Sequence, residues 1–74
     1  MTTAKLTDSQ FEAADDAFTA RLRATKLGTP ERAEAVAFRA AWDAAYALPQ
    51  RTFAQREERF AALYEASKAV GVVS

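Results

Sequence analysis

Two pairs of adjacent acids, Asp15–Asp16 and Glu57–Glu58, are the groups in this sequence that most resemble a catalytic arrangement. A paired-carboxylate mechanism requires two acids that face one site and titrate at different pH values. Neighbouring residues in a helix point about 100° apart, so neither pair converges on a common point. Both pairs are therefore predicted to lie on solvated helix surfaces.

Most other catalytic and metal-binding groups are missing from the sequence. It contains no histidine and no cysteine, which excludes thiol catalysis and cysteine-bound zinc and removes the commonest general base and transition-metal ligand. The serines Ser9, Ser67 and Ser74 have no histidine to activate them. The two glycines, Gly28 and Gly71, are too few for a phosphate-binding loop. The sequence thus predicts a protein that is not an enzyme and that binds no cofactor and no metal.

The charge balance restricts the class of partner. Ten basic and ten acidic residues give a net charge of zero, which disfavours a dedicated binder of nucleic acid or of an anionic membrane surface. No apolar run approaches the roughly 20 residues of a membrane span, and the first ten residues lack the apolar core of a secretory signal. We therefore expect a cytoplasmic protein. The many alanines, and the preference for arginine over lysine, suggest a GC-rich bacterial or phage genome.

The first helix is delimited by a capping box and a glycine. Thr7 and Gln10 have the spacing at which a threonine caps a helix and a glutamine three residues later returns the bond. Gly28 has the position of a helix stop. These signals predict a helix near residues 8–26.

Similar signals delimit the second helix. Thr29 is the predicted N-cap and Pro30 the first helical residue, where proline is favoured. Pro49 disfavours continuation of the helix, because the residue before a proline avoids helical geometry. The second helix is therefore predicted near residues 30–48.

The third helix repeats the pattern of the first. Thr52 and Gln55 have the capping-box spacing, and Gly71 is the predicted stop, so a helix is expected near residues 53–70. Three helices of similar length with short connections predict an all-α fold, a three-helix up-down-up bundle in a single domain over residues 1–74.

The middle helix is apolar on two opposite sides. Phe38, Trp42 and Tyr46 form one stripe. The opposite side carries five alanines: Ala33, Ala37, Ala40, Ala44 and Ala47. In a three-helix bundle the two neighbours of a helix are only about 60° apart around its axis, so they cannot cover both stripes. One side of this helix is therefore predicted to contact another protein or a second copy of the chain; the sequence leaves open which side faces outward.

These observations predict a small protein-interaction module that acts by helix-to-helix packing. Phe38, Trp42 and Tyr46 are the candidate anchors for the partner, with Arg39 and Asp43 at the rim, since aromatic and arginine side chains dominate many such contacts. The partner is a second copy, giving a homodimer, or another protein. A phage or mobile-element protein that modulates a host protein fits the composition.

A small DNA-associated transcriptional regulator is the alternative interpretation. Arg51, Arg56 and Arg59 cluster at the start of the third helix and are the candidate contacts to nucleic acid. However, all three helices are longer than those of a helix-turn-helix reader. Acids at the start of the first helix, such as Asp8 and Glu12, share that end of the bundle and offset the positive charge. Nucleic acid is therefore the less favoured partner, and a membrane surface is disfavoured further.

Overall fold

A computed structural model describes residues 4–73 of the chain. It contains three α-helices, α1 (Asp8–Ala24), α2 (Pro30–Tyr46) and α3 (Phe53–Ser67), followed by a short 3₁₀ helix over Lys68–Val70. Residues 4–73 form no β-strand. The predicted all-α three-helix bundle is confirmed.

Contacts between helix ends show how the helices run. The ring of Phe11, early in α1, lies 5.8 Å from the ring of Tyr46, the last residue of α2. The side chain of Arg59 in α3 donates to the carbonyl of Tyr46 at 3.0 Å. At the other end of the molecule, Arg21 of α1 donates to the carbonyl of Ala69, just beyond α3, at 3.2 Å. Successive helices are therefore antiparallel, in an up-down-up arrangement.

Both predicted capping boxes form. The Thr7 hydroxyl accepts from the Gln10 amide at 3.1 Å, and the Gln10 side-chain oxygen accepts from the Thr7 amide at 2.9 Å. Thr52 and Gln55 make the same two bonds at the start of α3, both at 3.1 Å. Each box satisfies two amides that the first turn of a helix leaves without partners.

Replacing Thr7 with alanine should lower the free energy of unfolding by about 1 kcal/mol, because the Gln10 amide loses its acceptor. For a domain of this size the loss corresponds to a fall in melting temperature of about 4–8 °C, measurable by circular dichroism. Thr7→Ser retains the acceptor and is the matched control, expected to melt close to the original chain. Equal melting temperatures for the alanine and serine variants would contradict a contribution from the box.

The first helix is two residues shorter than predicted. Thr25 adopts an extended backbone and its hydroxyl donates to the carbonyls of Arg21 and Leu22, both at 3.1 Å. These bonds satisfy carbonyls of the last turn and end α1 at Ala24. Gly28 then adopts a φ of 81°, in the left-handed region that favours glycine, and reverses the chain toward α2.

The other two helix ends also differ slightly from prediction. The second helix stops at Tyr46, two residues early, and Leu48 lies in a bend directly before Pro49. The third helix narrows into the 3₁₀ helix after Ser67, so the predicted helical end at residue 70 is reached in a tighter form. Gly71, with a φ of 74°, ends it as predicted.

The core lies around α2, which packs against both α1 and α3. Trp42 and Phe18 are its largest fully buried side chains, each about 1% exposed. Four smaller apolar residues complete the buried cluster: Leu6, Ala14, Ala45 and Leu63. Half-buried apolar side chains of α1, α3 and the C-terminal segment cover this cluster.

One aromatic residue lies outside the core, contrary to the sequence pattern. Helical spacing predicts that Phe53 shares the buried stripe of α3 with Leu63 and Ser67, but Phe53 is 71% exposed. It is the first residue of α3, so it lies beyond the end of the buried cluster. Helical periodicity alone does not show where along a helix the core ends.

Candidate functional site

The aromatic row of α2 faces its own chain. Trp42 is 1% exposed and its ring centroid lies 5.1 Å from that of Phe11 and 5.4 Å from that of Phe18. Its indole nitrogen donates to the Asp15 carboxylate at 3.1 Å. Trp42 therefore fills the core of this chain, and a partner cannot reach its ring without displacing α1. The structure thus places this candidate anchor inside the molecule.

The two other aromatic residues of the row are only partly covered. Phe38 is half-buried, and the guanidinium of Arg21 lies 5.1 Å from its ring centroid. Tyr46 is 55% exposed, with the guanidinium of Arg59 4.9 Å from its ring centroid. Neither ring forms part of a continuous exposed aromatic patch with Trp42, because Trp42 is buried between them.

The predicted polar rim, Arg39 and Asp43, lies where α2 meets α1. Arg39 donates to the Thr19 hydroxyl at 3.0 Å, and its Nε lies 3.4 Å from the Asp43 carboxylate. The Arg39 side chain is partly covered and the Asp43 side chain is 62% exposed. Arg39 therefore links α2 to α1, and Asp43 is the more exposed member of the pair.

The side of α2 opposite Trp42 is exposed and almost entirely apolar. We call it the alanine face, formed by five exposed residues: Ala33, Ala37, Ala40, Ala44 and Ala47. Their spacing of four, three, four and three residues is that of a heptad seam. The face extends for about 21 Å along the helix, and Val36, 49% exposed, borders it. Burial of Trp42 thus determines that the alanine side of α2 faces outward.

A shallow groove continues the alanine face toward α3. This α2–α3 groove has a volume of about 550 Å³. Its lining is apolar apart from one acid: Ala41, Ala44, Ala45, Leu48, Ala62, Glu65 and Ala66. Glu65 already pairs with Lys68, whose Nζ lies 3.0 Å from its carboxylate. The groove is therefore a wide, weakly charged surface without a deep enclosed cavity.

A second, narrower cleft lies between the start of α1 and the first half of α3. This α1–α3 cleft has a volume of about 270 Å³. Apolar, aromatic and charged side chains line it: Lys5, Leu6, Asp8, Phe11, Tyr46, Arg59, Phe60 and Leu63. The sequence gives no sign of this cleft, because its residues come from three separate segments with no characteristic spacing.

The three arginines of the DNA-binding alternative have different surroundings. Arg51 is exposed, and Arg56 donates to the Arg51 carbonyl at 3.3 Å. Arg59 is held at Tyr46 by a hydrogen bond and by its position over the ring. Two of the three side chains are thus engaged in local contacts, and binding of nucleic acid through them stays a prediction.

Two further kinds of feature, a cluster of metal ligands and a membrane-spanning helix, are absent from residues 4–73. Within residues 4–73, no set of three acidic side chains lies close enough to hold a metal ion. None of the helices in that range is both long and apolar enough to cross a membrane.

Comparison with known proteins returns no match: no family model, no curated protein and no solved structure is significantly similar to this chain. A proposal of function therefore rests on the surfaces of the chain itself.

Proposed function

We propose that this chain is a non-enzymatic protein-interaction module that pairs through the alanine face of α2. The occupant of that face is a second copy of the same chain. The observation that supports this proposal is the burial of Trp42 at 1% exposure, which turns the opposite, apolar side of α2 to solvent over its whole length.

Self-association is favoured because small residues are complementary to small residues. A helix whose contact positions are all alanine has shallow ridges, so another alanine-rich helix can approach it closely, whereas large side chains would hold the axes apart. The contact positions of the alanine face are all alanine, so the face of a second copy is an alanine-rich surface of this kind. A symmetric dimer needs one surface patch that is complementary to itself, and the alanine face satisfies that condition.

We expect the two copies to pair in the antiparallel orientation. Two acids of α2, Glu34 and Asp43, are each paired within their own chain, with Arg21 and Arg39, so their charges select neither orientation. In an antiparallel pair with the two-fold axis at Ala40, Ala33 of one copy lies level with Ala47 of the other, so alanines meet along the contact. Opposite helix dipoles favour the same orientation.

The area of contact determines how tightly the two copies are expected to bind. An interface built mainly from alanine side chains of one helix lies below the roughly 1,200 Å² of a standard stable complex. We therefore expect a dimer that dissociates on dilution, with a dissociation constant in the micromolar range or weaker. The α2–α3 groove adds contact area if α2 of the second copy also touches Leu48 and Ala62.

Sedimentation equilibrium over a range of protein concentrations tests the proposal. The original chain should show reversible dimerisation, and Ala40→Glu should weaken it by at least about tenfold, since the two new carboxylates meet at the symmetry axis. Ala54→Glu introduces the same change at an exposed site on α3 and should leave dimerisation unaltered.

Two outcomes would contradict this assignment. One is a chain that stays monomeric at millimolar concentration. The other is dimerisation that Ala40→Glu and Ala54→Glu affect equally, because the alanine face would then not be the contact. Circular dichroism of both variants establishes that the helices remain intact.

The setting of this proposed function is inferred from composition. A cytoplasmic location and an origin in a phage or mobile element, where the module would modulate a host protein, stay predictions of the sequence. They add no residue to the proposed contact.

A further inference from the structure

We propose that the α1–α3 cleft is a binding site for a small apolar carboxylate, a side-chain-sized hydrocarbon or aromatic group that carries one carboxylate. This site lies on a different surface from the alanine face and does not depend on dimerisation. The inference rests on the apolar side chains that line the cleft and on two cations in the same lining.

Apolar side chains form one part of the lining of the cleft. Leu6 and Leu63 are 8% and 4% exposed and belong to the core cluster. The rings of Phe60 and Tyr46 also line the cleft, one from α3 and one from α2. Its volume of about 270 Å³ lies just below the range of about 300–1,000 Å³ for small-molecule pockets. The group that fits is therefore about the size of one large side chain.

Two cations line the cleft, each over an aromatic ring. The Lys5 ammonium is 4.6 Å from the centroid of Phe60, and the Arg59 guanidinium is 4.9 Å from that of Tyr46. The Arg59 Nε donates to the Tyr46 carbonyl, which fixes the guanidinium in place. The ring contacts thus position both positive charges beside the apolar surface.

Neither cation forms an ion pair with a carboxylate within the described part of the chain. The ion pairs among residues 4–73 join Arg21 to Glu34, Arg39 to Asp43 and Lys68 to Glu65. Asp8 also lines the cleft, but it forms no ion pair with Lys5 or Arg59. Its charge instead lies in the first turn of α1, where the helix dipole favours an acid.

These features together select the chemistry of the ligand. An apolar group packs against the rings of Phe60 and Tyr46, and its carboxylate accepts from the free guanidinium nitrogens of Arg59, which suit the planar geometry of a carboxylate. Lys5 supplies a second, more mobile charge. Phosphate or sulfate alone would leave the apolar side chains uncovered, and an uncharged aromatic molecule would leave both cations unused.

Titration with 3-phenylpropionate, followed by two-dimensional NMR of the labelled chain, tests the site. We expect saturable shifts confined to the cleft residues, and binding at least about tenfold weaker for 3-phenylpropionamide, which has the same ring and no charge. A peptide ending in phenylalanine, with a free or an amidated C-terminus, shows whether the carboxylate of a chain end is accepted as well as that of a free acid.

Matched variants locate the charge that is recognised. Arg59→Gln should weaken binding of 3-phenylpropionate by about five- to tenfold, and Lys5→Gln should weaken it less. Arg23→Gln removes one positive charge at an exposed position of α1 outside the cleft and should leave binding unchanged. Circular dichroism checks that each variant keeps its helical content.

Three results would overturn the site. The first is the absence of saturable shifts at the cleft. The second is equal affinity for the acid and the amide, and the third is an equal effect of Arg59→Gln and Arg23→Gln. Each result can be told apart from failure of the dimer, because the titration can be performed on the Ala40→Glu variant, in which the alanine face is blocked.

Discussion

Replacing Trp42 with alanine should lower the free energy of unfolding by about 3–5 kcal/mol, the range for removing a large aromatic side chain from a core. Trp42 is 1% exposed and contacts the rings of both Phe11 and Phe18. The substitution leaves a cavity between α1 and α2 and removes the donor to Asp15. A core of this size rarely supplies more than about 3–5 kcal/mol, so most molecules of the variant should be unfolded at 25 °C.

Circular dichroism at 25 °C without denaturant should show this loss as reduced helical content, and urea denaturation compares the variants that remain folded. Trp42→Phe keeps an aromatic ring but loses the bond to Asp15, and we expect an intermediate loss. Phe53→Ala removes an aromatic ring that is 71% exposed and should change stability by less than about 0.5 kcal/mol. Similar losses for Trp42→Ala and Phe53→Ala would show that Trp42 is not the centre of the core.

Enlarging Ala14 should be the second most damaging change. Ala14 is fully buried, with 0% of its surface exposed, and belongs to the same cluster as Phe18 and Leu63. Leucine adds three carbon atoms where the packing has no room for them, and such overpacking costs about 1–3 kcal/mol. Ala14→Leu should therefore lower the urea midpoint clearly, even though leucine favours the helix almost as much as alanine does.

The adjacent residue provides the control for this change. Ala13 is exposed, so Ala13→Leu makes the same substitution in the same turn of α1 without entering the core. We expect its urea midpoint to stay close to that of the original chain. If both leucine variants lost stability equally, the cause would lie in α1 itself and not in the core.

Local signals in the sequence predict the helices and their starts. Thr7, Thr29 and Thr52 each cap a helix as expected, because capping depends only on residues within one turn. The ends are less predictable. Thr25 ends α1 by binding two carbonyls, and a threonine three residues before a glycine carries no distinctive signal of that role.

The orientation of α2 cannot be predicted from α2 alone, since both of its sides are apolar. It is decided by α1, where Phe11 and Phe18 present two large rings that pack against Trp42. Large rings fill the space between helices better than alanines do, so the aromatic side faces inward. The two phenylalanines of α1 therefore carry the signal that selects this side.

The surroundings of Asp15 differ from those predicted, although its position in the sequence indicates that it lies beside the apolar stripe of α1. The prediction of a solvated surface is wrong for this acid, because Asp15 is half-buried and accepts from the Trp42 indole. Asp15 is four residues after Phe11 and three before Phe18, so it lies on the edge of the apolar stripe. An acid at that position can accept a hydrogen bond from an indole or a tyrosine hydroxyl on the facing helix. The α1–α3 cleft carries no such signal, since Lys5, Tyr46 and Arg59 meet only in the folded chain.

The brevity of the two connections has a consequence for how fast the molecule forms. Residues 25–29 and 47–52 are the only spacers between successive helices, and each helix has its own start signal. Closing such small loops costs little chain entropy. Helical proteins whose contacts join residues close in sequence fold in about microseconds to milliseconds. Each chain should therefore fold through contacts within itself, without requiring a second copy.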